Sequence, residues 1–161
     1  MNAVDLHSGD DLRELYRELI LDHARNPRHF GKIDHPTHTA EGINPLCGDK
    51  LRLSVRVDRH GNIADASFEG SGCAISVASA SLLTDMIIGV PVAQALTCFD
   101  IVTQRLTAPD VDHERDIGID LSKIKALDGV REFPSRVKCA TLAWHALRSA
   151  MHGQTAPVST E

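Results

Sequence analysis

Apolar and polar positions alternate along this chain in two rhythms, and the change from one to the other divides it. Leu12, Leu15, Tyr16, Leu19 and Ile20 recur at helical spacing with charged residues between them, and Asp10 or Asp11 is placed to cap the start. An amphipathic helix is therefore predicted to about Arg25. Asn26-Pro27 ends it, and the segment to Thr39, with Gly31, Pro36 and several histidines, reads as an extended connector. From Lys50 the period drops to two. Leu51, Leu53, Val55 and Val57 fall on one face and Lys50, Arg52, Ser54 and Arg56 on the other, the signature of a half-buried strand. His60-Gly61-Asn62 supplies a turn, after which Ile63 to Glu69 returns antiparallel with Ala64, Ala66 and Phe68 sharing a face. A preceding strand over Thr39 to Asn44 completes a small sheet.

After Gly72 the rhythm changes again. Ala, Ser and Leu dominate to Ile88 with small or apolar residues on nearly every side, as in a largely buried helix. Gly89 interrupts, and Pro91 opens a further helix to about Leu106. Thr107 to Ile119 is polar and reads as an exposed insertion, followed by a short helix over Leu121 to Leu127. Pro134 and Ser135 announce a last helix through Met151, with Val137, Leu142, Trp144 and Leu147 as its apolar residues. Helix, small antiparallel sheet, then helices is an α+β layout. One domain over residues 1–161 is expected, its core at about 12–152 and its tails, 1–10 and 153–161, loose.

Composition narrows the partners. The 161 residues are 42% hydrophobic and 24% charged, an ordinary globular mixture, and the formal charge of −5 argues against nucleic acid or anionic lipid as a partner. The longest apolar run, Met86 to Ala93, is far short of the roughly 20 residues of a membrane span and contains Gly89 and Pro91. The charged first twenty residues leave no room for a secretory leader, so the cytoplasm is the expected compartment.

Four scattered cysteines do not make a disulfide framework. Cys47 sits in a turn between two predicted strands with Gly48 and Asp49 beside it, Cys73 begins the buried helix, and Cys139 lies about one turn inside the last helix. Helix N-termini favour thiolate over thiol, which singles out Cys73 and Cys139. Converging, three thiolates and Asp49 would suit tetrahedral zinc, and thiolate ligation of an iron-sulfur cluster is equally compatible. Small buried hydrophobes are the alternative reading, preferred for Cys98 beside Leu96 and Phe99. Most of the nine histidines are expected at the surface, and Arg136 and Lys138 as basic neighbours of Cys139.

Three segments carry a resemblance: Asn44 to Asp49 (N-P-L-C-G-D), Gly70 to Ser76 (G-S-G-C-A-I-S) and Arg136 to Trp144 (R-V-K-C-A-T-L-A-W). Together they resemble the SufU family, within the IscU/NifU N-terminal-like superfamily of iron-sulfur cluster assembly proteins, over about Leu15 to Met151. The resemblance implies an IscU-like α+β fold with a three-stranded sheet, and metal ligands at Cys47, Asp49, Cys73 and Cys139. It further implies a zinc-dependent acceptor of persulfide sulfur, through Cys47, from a pyridoxal-phosphate cysteine desulfurase of the SufS kind, acting ahead of downstream iron-sulfur assembly proteins. The alternative it carries is a scaffold on which a [2Fe-2S] or [4Fe-4S] cluster is built. Lys138, where scaffolds keep a histidine, and the polar Thr107 to Gly129 region favour the SufU branch; Phe133-Pro134-Ser135-Arg136-Val137-Lys138 stands in place of the L-P-P-V-K motif through which scaffolds engage their chaperone, so chaperone-driven cluster release is not expected.

Overall fold

The computed structural model describes residues 9–108, 122–154 and 156–160, with side chains from Glu14 onward. Helix α1 spans Gly9–Arg25, and strands β1 (His38–Asn44), β2 (Asp49–Val57) and β3 (Ile63–Ser71) follow. Helices α2 (Ala74–Ile87) and α3 (Val92–Thr107), a 3-10 helix over Ser122–Glu132, helix α4 (Pro134–Met151) and strand β4 (Val158–Ser159) complete the order. The expected α+β layout and the helix and strand positions hold. Most of the predicted insertion, Leu121, and the candidate caps Asp10 and Asp11 lie outside the residues or side chains described.

The sheet runs β3-β2-β1-β4, with β1, β2 and β3 antiparallel. It has four strands rather than three, because Val158–Ser159 pairs parallel to β1 at Gly42 and Ile43. The C-terminal stretch expected to hang loose is thus partly held, with Thr160 N–H donating to the Ile43 carbonyl at 3.2 Å. Across the sheet, the connector covers the outer edge of β3: Gly31 N–H donates to Phe68 O and Phe68 N–H to His29 O. An open strand edge is a template for unwanted pairing; here the connector covers part of β3's outer edge and the short β4 part of β1's.

One face of the sheet packs against α2 and α4; α1 lies on α2, and α3 on α4. Leu53, Val55, Ile63, Ala66 and Phe68 meet Leu82, Leu83, Leu142, Trp144 and Leu147 in one continuous core. The indole Nε1–H of fully buried Trp144 donates to Ser79 Oγ, which in turn donates to the Ala140 carbonyl, so the polar atoms between α2 and α4 satisfy one another.

Three expectations are corrected. Ala64 is exposed, because Arg56 pairs with Asp65 and Val57 with Ile63, leaving Ala64 as an extra residue on β3 that reverses the inward-facing parity of the strand's start. Leu15 is 48% exposed; the packed stripe of α1 runs instead through Tyr16, Leu19, Ile20 and His23. His23, expected at the surface, is buried, its Nδ1 2.7 Å from Ser81 Oγ on α2. No helix among the described residues is long and apolar enough to cross a membrane.

Candidate metal centre

The hairpin joining β1 to β2 closes on the pair Asn44 and Asp49, both fully buried. Pro45, Leu46, Cys47 and Gly48 form its turn, held by the Cys47 N–H donating to Asn44 O at 3.3 Å. Gly48 takes φ +72°, a left-handed conformation that a side chain would strain. The turn therefore lifts Cys47 toward the protein's surface while β2's inward parity drives the Asp49 carboxylate beneath it.

Cys73 is the N-cap of α2. Its backbone is extended and its Sγ accepts from Ser76 N–H at 3.5 Å, the place a serine or aspartate oxygen commonly takes. Its own N–H donates to Asp49 Oδ1 at 2.8 Å, so the buried carboxylate is pinned by the start of the helix. Gly72 makes this approach possible, since a Cβ there would lie 2.8 Å from Asp49 Oδ1. From the other side, α4 presents Cys139 just past its first turn and fully buried.

These elements bring Cys47, Asp49 and Cys139 together; Cys73 sits beside Asp49 but outside the group whose donor atoms are all mutually close. Cys47 Sγ and Cys139 Sγ are 3.4 Å apart, Cys73 Sγ is 3.9 Å from Asp49 Oδ2, and donor atoms of Cys47, Asp49 and Cys139 all lie within 4.8 Å of one another. Tetrahedral zinc with sulfur at about 2.3 Å and oxygen at about 2.0 Å has S···S edges near 3.8 Å and S···O edges near 3.5 Å. The Cys47–Cys139 and Cys73–Asp49 contacts each agree with these edges to within about half an ångström. A fully buried carboxylate facing thiols is also a donor set that calls for a cation. The residues fit a borderline-soft metal such as zinc, and three thiolates equally suit iron-sulfur chemistry.

Electrostatics refine the expectation for Cys139. Its place near a helix N-terminus does not win: burial first, then the Asp49 carboxyl and the neighbouring thiols, push its pKa well above the ordinary thiol range. Without a cation it stays protonated. The Arg136 guanidinium, exposed at the start of α4, is held more firmly in its charged form by the sulfur of Cys139 and then by Cys73 and Cys47. Lys138 is half-buried next to Cys139, but its ammonium makes no hydrogen bond or ion pair within the described residues. Cys98 is apart from all of this, fully buried in the apolar core with its thiol pushed up to about 12 by burial.

Two residues that motif reading assigned no role belong to the same cluster: Asn44, whose Nδ2 donates to Cys139 Sγ at 3.5 Å, and Gly72. Period-two counting forward from β1's inward Ala40 and Gly42 reaches Asn44 and was the available signal. Nothing in the sequence marked the space that Gly72 leaves.

Among known proteins, the NifU-like N-terminal domain family matches residues 15–140. The chain is 42% identical over 142 residues to the zinc-dependent sulfurtransferase SufU of Bacillus subtilis (strain 168), covering 88% of this chain and 92% of that protein. It is 37% identical over 140 residues to the iron-sulfur cluster assembly scaffold protein IscU of Streptococcus pyogenes serotype M1, covering 87% and 84%. In fold it is similar to the crystal structure of FiSufU from the thermophile Fervidobacterium islandicum AW-1, with TM-score 0.77 and 32% identity over 86% of this chain and 98% of that one. Sequence, fold and the converging cysteine motifs agree: this chain belongs to the NifU-like N-terminal domain family.

Proposed function

We propose that this protein is a zinc-dependent sulfurtransferase of the SufU type, taking persulfide sulfur from a pyridoxal-phosphate cysteine desulfurase and delivering it to downstream iron-sulfur assembly proteins. Cys47, Asp49, Cys73 and Cys139 are its metal ligands, and Cys47 is the sulfur acceptor. One observation carries the choice of Cys47. Cys139 is fully buried and Cys73 is tied down as a helix cap, whereas Cys47 rides on a turn whose neighbours Pro45, Leu46 and Gly48 are exposed. The similarity to the Bacillus subtilis sulfurtransferase supports the same reading.

Bound zinc would keep its thiolate ligands deprotonated at neutral pH, where a free thiol is mostly protonated. Sulfur transfer then follows thiol-exchange chemistry. The Cys47 sulfur attacks the outer sulfur of the desulfurase persulfide; that S–S bond breaks as a new one forms on Cys47, and the desulfurase cysteine leaves as a thiolate that takes up a proton. The number of S–S bonds is unchanged, so no oxidant is needed. Arg136, exposed beside all three thiols, offers a positive charge to the incoming anionic sulfur.

The test is desulfurase turnover with reductant, with and without the protein, alongside metal content of the same sample. Strong stimulation with about one zinc per chain, abolished in Cys47→Ala, is the expected result. Full sulfur acceptance by Cys47→Ala would refute the assignment. No stimulation, with a brown cluster forming from iron and sulfide and passing to an apo-protein, would make the protein a scaffold instead.

A further inference from the structure

Asn44 is fully buried, and its two amide ends meet different fates. Nδ2 donates to Cys139 Sγ at 3.5 Å, while Oδ1 is buried without a hydrogen-bond partner among the described residues. The direction of the amide follows from the sulfur it faces. Once Cys139 is a metal-bound thiolate, a carbonyl oxygen turned toward it would oppose lone pair to lone pair, whereas an N–H satisfies it.

An amide with one weak hydrogen bond and one orphaned oxygen is a poor contributor to folding. Burying a polar atom unpaired is costly, and a leucine of similar shape would remove that cost. What asparagine supplies and leucine cannot is an N–H aimed at sulfur. Its backbone acts on the same cluster, because Asn44 O accepts the Cys47 N–H that closes the turn, and Asn44 pairs with Asp49 at the end of the hairpin. A single residue therefore touches three of the four candidate donors or their backbones.

We infer that Asn44 is a positioning residue of the metal centre, its side-chain amide fixing the Cys139 sulfur as the immobile donor by an N–H···S hydrogen bond. Such bonds orient a thiolate ligand and draw electron density from it, as partners just outside a metal's ligands do generally. Cys139 is then held in place while Cys47, whose sulfur has no such amide among the described residues, remains the responsive one. The inference rests on the metal-binding reading above.

The experiment uses the full chain with Asn44→Leu and Asn44→Ala, each titrated with cobalt(II) and zinc against a competing chelator and melted without metal. Asn44→Leu should melt, metal-free, at or above the parent temperature because the orphaned oxygen is gone. Its cobalt affinity should fall about tenfold or more, with the sulfur-to-cobalt charge-transfer band moved to longer wavelength. Asn44→Ala should show the same metal defect with a lower melting temperature, from the cavity it leaves. A gain in metal-free stability joined to a loss of metal affinity is a pattern that a purely structural asparagine would not give. Parent affinity and an unshifted band in Asn44→Leu would overturn the inference, as would failure of both variants to fold without metal. A parent protein that takes up neither cobalt nor zinc would refute the metal-binding reading itself, and this inference with it.

Discussion

Adding one methyl group at Gly72 should damage the metal centre without unfolding the protein. A Cβ there would sit 2.8 Å from Asp49 Oδ1, about 0.6 Å inside ordinary contact, and 3.2 Å from both Asp49 Cγ and Ser76 Oγ. Asp49 has a short side chain and no exposed surface, so it must rotate out of its position between the turn and the α2 N-terminus. Rotation sacrifices the 2.8 Å hydrogen bond from Cys73 N–H. A hydrogen bond to a charged acceptor contributes about 2 kcal/mol, and if the whole loss falls on the metal-competent geometry, zinc affinity drops about 30-fold. The same hydrogen bond is present without metal, so any share of the loss that falls on the metal-free fold lowers its Tm instead, by up to about 5 °C. The assay is a zinc titration of Gly72→Ala against a chromophoric chelator, with a thermal melt of the metal-free protein beside it. Zinc binding within about twofold of the parent would show that Asp49 is not held where the metal needs it, and the reasoning would fail.

Asp49→Ala, removing the carboxylate donor, should cost zinc affinity at least about tenfold in the same titration and slow sulfur acceptance; unchanged values for both would remove Asp49 from the centre. Chelating the metal from the parent protein should lower Tm, because a metal that binds only the folded arrangement adds its binding energy to stability, and an unaltered melt would deny it a structural share. His23 and His145 are both held below the usual histidine range chiefly by burial. Below about pH 6.5 the unfolded chain thus binds protons that the fold refuses, so the metal-free protein should lose stability as pH falls through this window and level off below the depressed values. His23→Gln should flatten that slope, measured as Tm against pH. Asp128 receives two 2.7 Å hydrogen bonds from Arg105 and lies 3.2 Å from Arg131, tying the 3-10 helix to α3. Asp128→Ala should cost about 2 kcal/mol, roughly 5 °C in Tm, while leaving zinc affinity untouched.

Where a segment's neighbours in space are also its neighbours in sequence, its pattern was enough. The alternation from Lys50 to Val57 became β2, and Pro134 opened α4, which ends at Met151. Three features depended on distant partners and left no local trace. Ala64 faces outward because of a bulge defined by its pairing with β2; His23 is inside because Ser81, 58 residues away, receives it; and Val158–Ser159 is too short to announce itself as a strand without β1 alongside. The metal centre divides the same way. Each cysteine's local setting, a turn or a helix start, was readable, but convergence was not: it requires the hairpin, the α2 cap and α4 to meet, and only the family resemblance supplied it in advance. Asn44 and Gly72 lay beyond both, since their contributions are an N–H direction and an empty volume.

The four candidate donors are spread from residue 47 to residue 139, and this has a consequence for how the protein matures during synthesis. Three of them emerge from the ribosome in the first half of the chain, on a hairpin and a helix cap, while the fourth waits on the last helix. Until α4 docks, Cys47 and Cys73 are thiols of a nascent chain with no enclosing site, open to oxidation or to any passing soft metal. Fidelity in metal selection is therefore a property of the finished molecule alone, and a pause in translation between the two halves would lengthen the interval in which the wrong ion can be captured.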